Sequence, residues 1–252
     1  MKHILILSLF FLNLVTLSAQ EAGATVDRGK ETHEEMEKLD QGSNLERKQF
    51  KEISEKNRER MTNGIKLLTI VSANFGDEVP ESKASLDKIK KDYQIAQRYY
   101  YRNAYIIAGK SVQKVEKDLT EVLSKFAKVY DAKTQNLLSE CADSISQTEQ
   151  AQLTVDSQEG GKPATSSFID VSEAAHKLKI AYYQLGLALE MSKDNRFYEA
   201  IVHYRIAKDY GIKILTDLKE AEADKKAIQD KFTKDLADNR NLISGAAAAP
   251  AK

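Results

Sequence analysis

YRNAYIIAGKSVQKVEKDLTEVLSKFAKV, residues 101–129, sets the fold class. Tyr101, Tyr105, Ala108, Val112, Val115, Leu119, Val122, Phe126 and Val129 fall at alternating steps of four and three, four heptads without a slip. That seam is what a helix packed lengthwise against a partner helix requires. Lys114, Glu116, Lys117, Asp118, Glu121, Lys125 and Lys128 lie between the apolar positions. Glu121 and Lys125 stand in the favourable acid-first i,i+4 order, worth a few tenths of a kcal/mol. Read as helical from Ser82 to Val129, the rod is roughly 70 Å long at about 1.5 Å per residue. Leu137, Leu138 and Ile145 can extend it.

Upstream, Phe50, Ile53, Met61, Ile65, Leu68 and Phe75 recur at helical spacing, predicting a helix from about Leu45 to Phe75. Gly76-Asp77 and Pro80 end it. Downstream, Asp170 with Glu173 three residues later reads as a capped start for a helix over Val171–Met191. Lys193-Asp194-Asn195 is a short turn, and a fourth helix is expected from Arg196 unbroken to Leu242. Short turns pair the first helix with the second and the third with the fourth, as antiparallel hairpins. Because the second and fourth outrun their partners, the expected architecture is all-α, elongated and bent.

The expected organisation is a signal peptide at 1–19 and a flexible segment at 20–44, with a short helix near Thr32–Asp40. A helical hairpin follows at 45–149, a linker at 150–169, a second hairpin at 170–243 and a disordered tail at 244–252. The signal reading rests on Lys2, an apolar run from Ile4 to Val15, and small residues at Leu17-Ser18-Ala19. Cleavage is placed after Ala19, with Ala22-Gly23-Ala24 as a second site and an uncleaved anchor as the alternative. The mature chain then carries no membrane span and resides in the periplasm.

Charge narrows the partner class. Lys+Arg and Asp+Glu are balanced at 38 each, and loss of Lys2 leaves 37 against 38. Phosphate neutralisation needs a basic excess, so nucleic acid is not an expected partner. Cys141 is the single cysteine, so no internal disulfide forms and Cys141 reads as a small packing residue.

Chemical motifs are weak. Gly109-Lys110-Ser111 invites a phosphate-loop reading, but Ala104 stands where the first glycine belongs, inside a heptad rather than at a strand–helix junction. His33, His176 and His203 form no i,i+4 pair, although His176 and His203 lie on opposite arms of one hairpin. No catalytic, metal or cofactor-binding residue is assigned, no cofactor is expected, and the chain reads as a non-enzyme.

Two stretches point to protein contacts. Tyr93–Tyr105 holds five of the eleven tyrosines. Tyr101 and Tyr105 belong to the seam, so Tyr99 and Tyr100 are expected to point elsewhere, either beside Arg98 and Arg102 as a candidate contact patch or as half-buried packing residues. Tyr182, Leu185, Gly186, Ala200, Tyr204 and Ala207 resemble the bulky, Leu-Gly, small, aromatic and small places of one tetratricopeptide hairpin. In that reading Gly186 lets the two helices approach closely. The turn is two residues longer than the repeat, Leu189 replaces a tyrosine, no proline closes the unit, and no second copy follows.

With its export signal, its all-helical mature part, the Tyr93–Tyr105 rod and the Tyr182–Leu218 hairpin, the chain resembles the flagellar-coiling proteins of leptospiral spirochaetes. The resemblance implies a bent helical subunit of the sheath on a periplasmic flagellar filament. Its partners would be other filament or sheath proteins, with self-association a further option, and its role would be in filament coiling and cell motility. The alternative is a periplasmic helical adaptor or holdase-type chaperone.

Overall fold

The computed structural model describes residues 28–158 and 169–244, all of whose regular elements are α-helices. The expected signal peptide at 1–19, residues 20–27, residues 159–168 of the expected linker and the residues beyond 244 lie outside the described residues. The elements are α1 (His33–Leu39), α2 (Asn44–Phe75), α3 (Ser82–Tyr101), α4 (Tyr105–Gln158), α5 (Val171–Lys193), α6 (Phe197–Asp217), α7 (Glu222–Lys231) and α8 (Thr233–Ser244).

Helix α4, 54 residues long, is the spine. Helices α2, α3, α5 and α6 all pack on it. Leu137, Cys141 and Ile145 meet Ala174 of α5 and Ile212 of α6, and the α5–α6 turn reaches back to Leu119 and Leu123. The heptad seam faces inward as expected: Ala108, Val112, Val115, Leu119, Val122 and Phe126 are buried. Ile106, Leu123, Ala127, Tyr130 and Leu138 are buried too, because α4 has neighbours on two sides rather than one. Burying each such Val, Leu or Phe side chain is worth about 1.5–3 kcal/mol.

Three expectations about helix ends are corrected. The Ser82–Val129 rod is two helices, broken at Arg102-Asn103-Ala104. The expected Arg196–Leu242 helix is three, with breaks before Glu222 and at Phe232. In the other direction, α4 continues through Gln158, so the first residues of the expected linker are helical. The two expected hairpins also share one core: Met61, Leu68 and Phe75 of α2 lie in the same apolar cluster as Ala181 and Leu185 of α5 and Ile201 and Tyr204 of α6.

The α5–α6 hairpin is the most intimate pair. Ala174, Ala181 and Ala188 on α5 and Ala200 and Ala207 on α6 are buried at spacings of seven, and small side chains there bring the two backbones together. At the α4–α6 crossing the same role falls to Gly211, where an added Cβ would lie 2.9 Å from Leu137 Cδ2.

Candidate interaction surface

The α3–α4 break organises the tyrosine-rich stretch. Asn103 adopts φ 61°, the left-handed region that Asn tolerates better than most residues. Asn103 N donates to Tyr100 O and Ala104 N to Tyr99 O, both at 3.0 Å. This paired arrangement closes a helix and satisfies its last carbonyls. The turn rotates α3 against α4, so a single seam does not run through both.

The tyrosines therefore sort differently from expectation. Tyr101 is 68% exposed and Tyr99 only 3% exposed. Tyr99 donates its hydroxyl to Glu31, a residue itself buried. Arg102 donates through Nη2 to Glu31 O at 2.5 Å and through Nη1 to Gly29 O at 3.4 Å. Arg98 lies beneath Gly29, its Cδ 3.2 Å from where a Cβ would stand. Three of the four candidate contact residues, Arg98, Tyr99 and Arg102, thus grip the chain's own N-terminal segment.

That segment is ordered from within. Thr32 and Glu35 form a reciprocal capping box at the start of α1, and Ser43 and Glu46 form another at the start of α2. Met36 is buried in a cluster with Ile95, Tyr99, Ala104 and Ala108. Asp40, 2% exposed, accepts from Ile106 N at 2.8 Å and Ile107 N at 3.1 Å and pairs with Arg47 at 2.9 Å. Residues 28–43, expected to be flexible, are packed, because α4 opens on Ala104 and draws its capping carboxylate from Asp40. A cleft of about 380 Å³ remains beside the segment, with Leu39, Ile95, Tyr99 and Ile107 among its lining residues.

The surface patch centres on exposed Tyr101, flanked by half-buried Tyr100 and Tyr105. Tyr100 meets Tyr101 and Tyr105 edge-on, with ring centroids 5.7 and 5.5 Å apart. Arg58 of α2 stands over the Tyr100 and Tyr101 rings at 5.3 and 5.7 Å, and Lys51 over Tyr105 at 5.4 Å. The Tyr100 hydroxyl donates to Glu55 at 2.5 Å and the Tyr105 hydroxyl to Asn103 Oδ1 at 2.7 Å. Sequence reasoning found Tyr100 but missed Tyr101, Tyr105, Arg58 and Lys51. Asn103 was the available signal, since a turn there frees Tyr101 and Tyr105 from one seam.

A buried polar network ties the two halves of the chain together. Arg205, 1% exposed, donates through Nε to Asp238 Oδ2 at 2.7 Å and through Nη2 to Asp238 O at 2.5 Å. Tyr130 donates its hydroxyl to Asp238 Oδ2 at 2.5 Å, and Asn74 Nδ2 donates to Asp238 Oδ1 at 3.0 Å. Lys208 donates to Asp235 and lies over the Tyr130 and Phe75 rings at 4.2 and 4.8 Å. Burial pushes Lys208 below its ordinary range, against the opposing pull of Asp235. These residues belong to α2, α4, α6 and α8, and the network holds α8 to the bundle.

The hairpin residues divide. Leu185, Ala200, Tyr204 and Ala207 are buried. Tyr182 is 46% exposed, and a Cβ on Gly186 would meet nothing within 4 Å. Gly186 therefore does not bring α5 and α6 together; the alanines do, and the glycine faces outward.

The remaining motifs take structural places. Gly109 sits in the second turn of α4, where a Cβ would lie 2.6 Å from Phe50 Cδ1 and 2.9 Å from Phe50 O. The Gly109-Lys110-Ser111 glycine thus admits a neighbouring helix rather than a phosphate. Cys141 is fully buried, its Sγ 3.3 Å from Gly211 O, and burial pushes its thiol up to about 12. His203 Nδ1 lies 2.8 Å from Gln184 Oε1, so the hairpin sets His203 against Gln184 and not against His176. Among the described residues no cluster of His, Cys, Asp or Glu is arranged to hold a metal ion. No helix among them is long and apolar enough to cross a membrane.

No protein-family model, curated protein or solved structure matches this chain. What defines it is its own geometry: an all-α protein built on one long spine, with a cation-decorated aromatic patch at one end.

Proposed function

We propose that the chain is a non-catalytic helical interaction subunit, and specifically a component of the sheath around a periplasmic flagellar filament. The observation that carries the reading is the patch of Tyr100, Tyr101 and Tyr105 under Arg58 and Lys51. Aromatic rings and arginine are enriched where protein surfaces dock, because they bring large contact area at low entropic cost. The patch rests on the junction of three helices, so little ordering remains to oppose docking. Balanced surface charge suits lateral tiling of rods without long-range repulsion, and asymmetric tiling bends a filament. The expected export signal and the resemblance to flagellar-coiling proteins are what suggest the location and the assembly.

The test is to isolate periplasmic flagella, look for this chain on them, and image filaments and swimming cells after deletion of its gene. The reading expects the chain on the filament, straightened filaments and lost motility; filaments free of the chain and unchanged by the deletion overturn it.

The adaptor or holdase reading draws on the cleft lined by Leu39, Ile95 and Ile107. It expects the purified chain to suppress aggregation of an unfolded client, which a sheath subunit has no reason to do.

A further inference from the structure

Helix α5 buries one stripe against α4 and α6 and leaves the opposite stripe bare. His176, Lys179, Tyr183, Gly186, Glu190 and Lys193 are all exposed. Their steps of three, four, three, four and three form a second heptad-like seam, outside the hairpin. Tyr183 is 65% exposed and its neighbour Tyr182 46%. Gly186 opens onto free space, and a glycine in a helix interior weakens it without contributing an inward contact. Neither Lys179 nor Glu190 has an ion-pair partner among the described residues.

The seam is complementary to itself. Laid antiparallel on a second copy, with the two-fold axis between Gln184 and Leu185, it puts Tyr183 opposite Gly186 and Lys179 opposite Glu190. Each pair occurs twice, as a two-fold interface requires. The ring of Tyr183 enters the space that the missing side chain of Gly186 leaves, while the charges at either end meet their opposites. The reverse, parallel arrangement sets Lys179 against Lys179 and Glu190 against Glu190, which disfavours it.

We propose that α5 is a self-docking face, on which two copies of this chain pack antiparallel with Tyr183 of each seated on Gly186 of the other and Lys179 facing Glu190. The contact is one helix on one helix with a partly polar seam, so the association is weak and is strengthened in a larger assembly by repetition. It does not depend on the filament reading: a soluble two-fold dimer follows from the face alone, and the aromatic patch on α3 and α4 stays free for other partners.

Sedimentation of the purified mature chain across low to high micromolar concentration tests it. The expected result is a monomer–dimer equilibrium that Gly186→Leu abolishes while the monomer's thermal midpoint stays level or rises, because a Cβ at this exposed position meets nothing within 4 Å of its own chain. Lys179→Glu and Glu190→Lys, each acting twice across the axis, weaken association about tenfold, and the two together restore it. Tyr183→Cys combined with Gly186→Cys gives a covalent dimer under mild oxidation, with the buried Cys141 silent. A chain monomeric throughout, a dimer that survives Gly186→Leu, or a double charge reversal as weak as the single ones overturns the proposal.

Discussion

Asp40 caps a helix that begins 65 residues further along the chain. Its carboxylate accepts from the backbone of Ile106 at 2.8 Å and of Ile107 at 3.1 Å, the free N–H groups at the start of α4. Local residues cannot do this, since Ala104 has no side-chain acceptor. Asp40→Ala is expected to cost about 1–2 kcal/mol, as losses of a helix cap do. Denaturant unfolding measures it. Limited proteolysis should show residues 28–43 released before the core opens.

The Arg205–Asp238 pair predicts a sharper effect. Both side chains are fully buried, so removing one leaves the other charged and without its counterion. Asp238→Ala or Arg205→Ala should each cost roughly 3–5 kcal/mol, while Arg205→Met with Asp238→Leu should recover only part of the loss, because Tyr130 and Asn74 also lose their acceptor. A double-mutant cycle in chemical denaturation reads the coupling.

Alkaline titration should find Tyr99 and Tyr100 late. Tyr99 is held up to about 12 by burial and by its hydrogen bond to Glu31. Tyr100 is held up to about 12 by its hydrogen bond to Glu55 first and burial second. For each, the folded state retains the proton after the unfolded state has released it near pH 10. The stabilisation is thus complete below pH 10 and is lost as pH rises toward 12. Ultraviolet difference titration should show one late tyrosine fewer in Tyr99→Phe, together with earlier release of the N-terminal segment.

Cys141 should be inert in the folded chain. Its thiol is buried and pushed up to about 12, so little thiolate exists at pH 8, and thiolate is the reacting species. A disulfide reagent is expected to label it only on unfolding; rapid labelling of native protein would contradict its placement at the α4–α6 crossing.

Two helical glycines should respond oppositely. Gly109→Ala drives a methyl group into Phe50 and should destabilise by about 1–3 kcal/mol. Gly186→Ala meets nothing and should stabilise the monomer by about 0.5–1 kcal/mol. Thermal unfolding at low protein concentration separates the two.

The candidate surface was half legible in the sequence. The crowding of tyrosines at 93–105 marked the region, but which rings face water depends on the rotation between α3 and α4. Asn103 and Asn195 close their helices in the same way, with φ 61° and 57°. The turn at Asn195 was foreseen because charged and polar residues flank it; the one at Asn103 was hidden because the apolar repeat steps across it from Tyr101 to Tyr105 without a slip. At Gly186 a local resemblance suggested a close helix contact that the alanines of α5 and α6 make instead.

By itself the sequence determined the all-α class, the extents of α2 and α5 and the inward face of α4. Those follow from periodicity and capping, which act within a few residues of the chain. Only the tertiary structure decided that 28–43 docks, that α4 serves both hairpins, and that α8 folds back onto Arg205 and Lys208. The first and last rest on an uncapped backbone group or a buried charge finding its counterpart dozens of residues away, and the second on apolar faces that meet only in the packed bundle. Periodicity carries no record of such a partner, because hydrogen bonding and desolvation select it only once the helices are already packed.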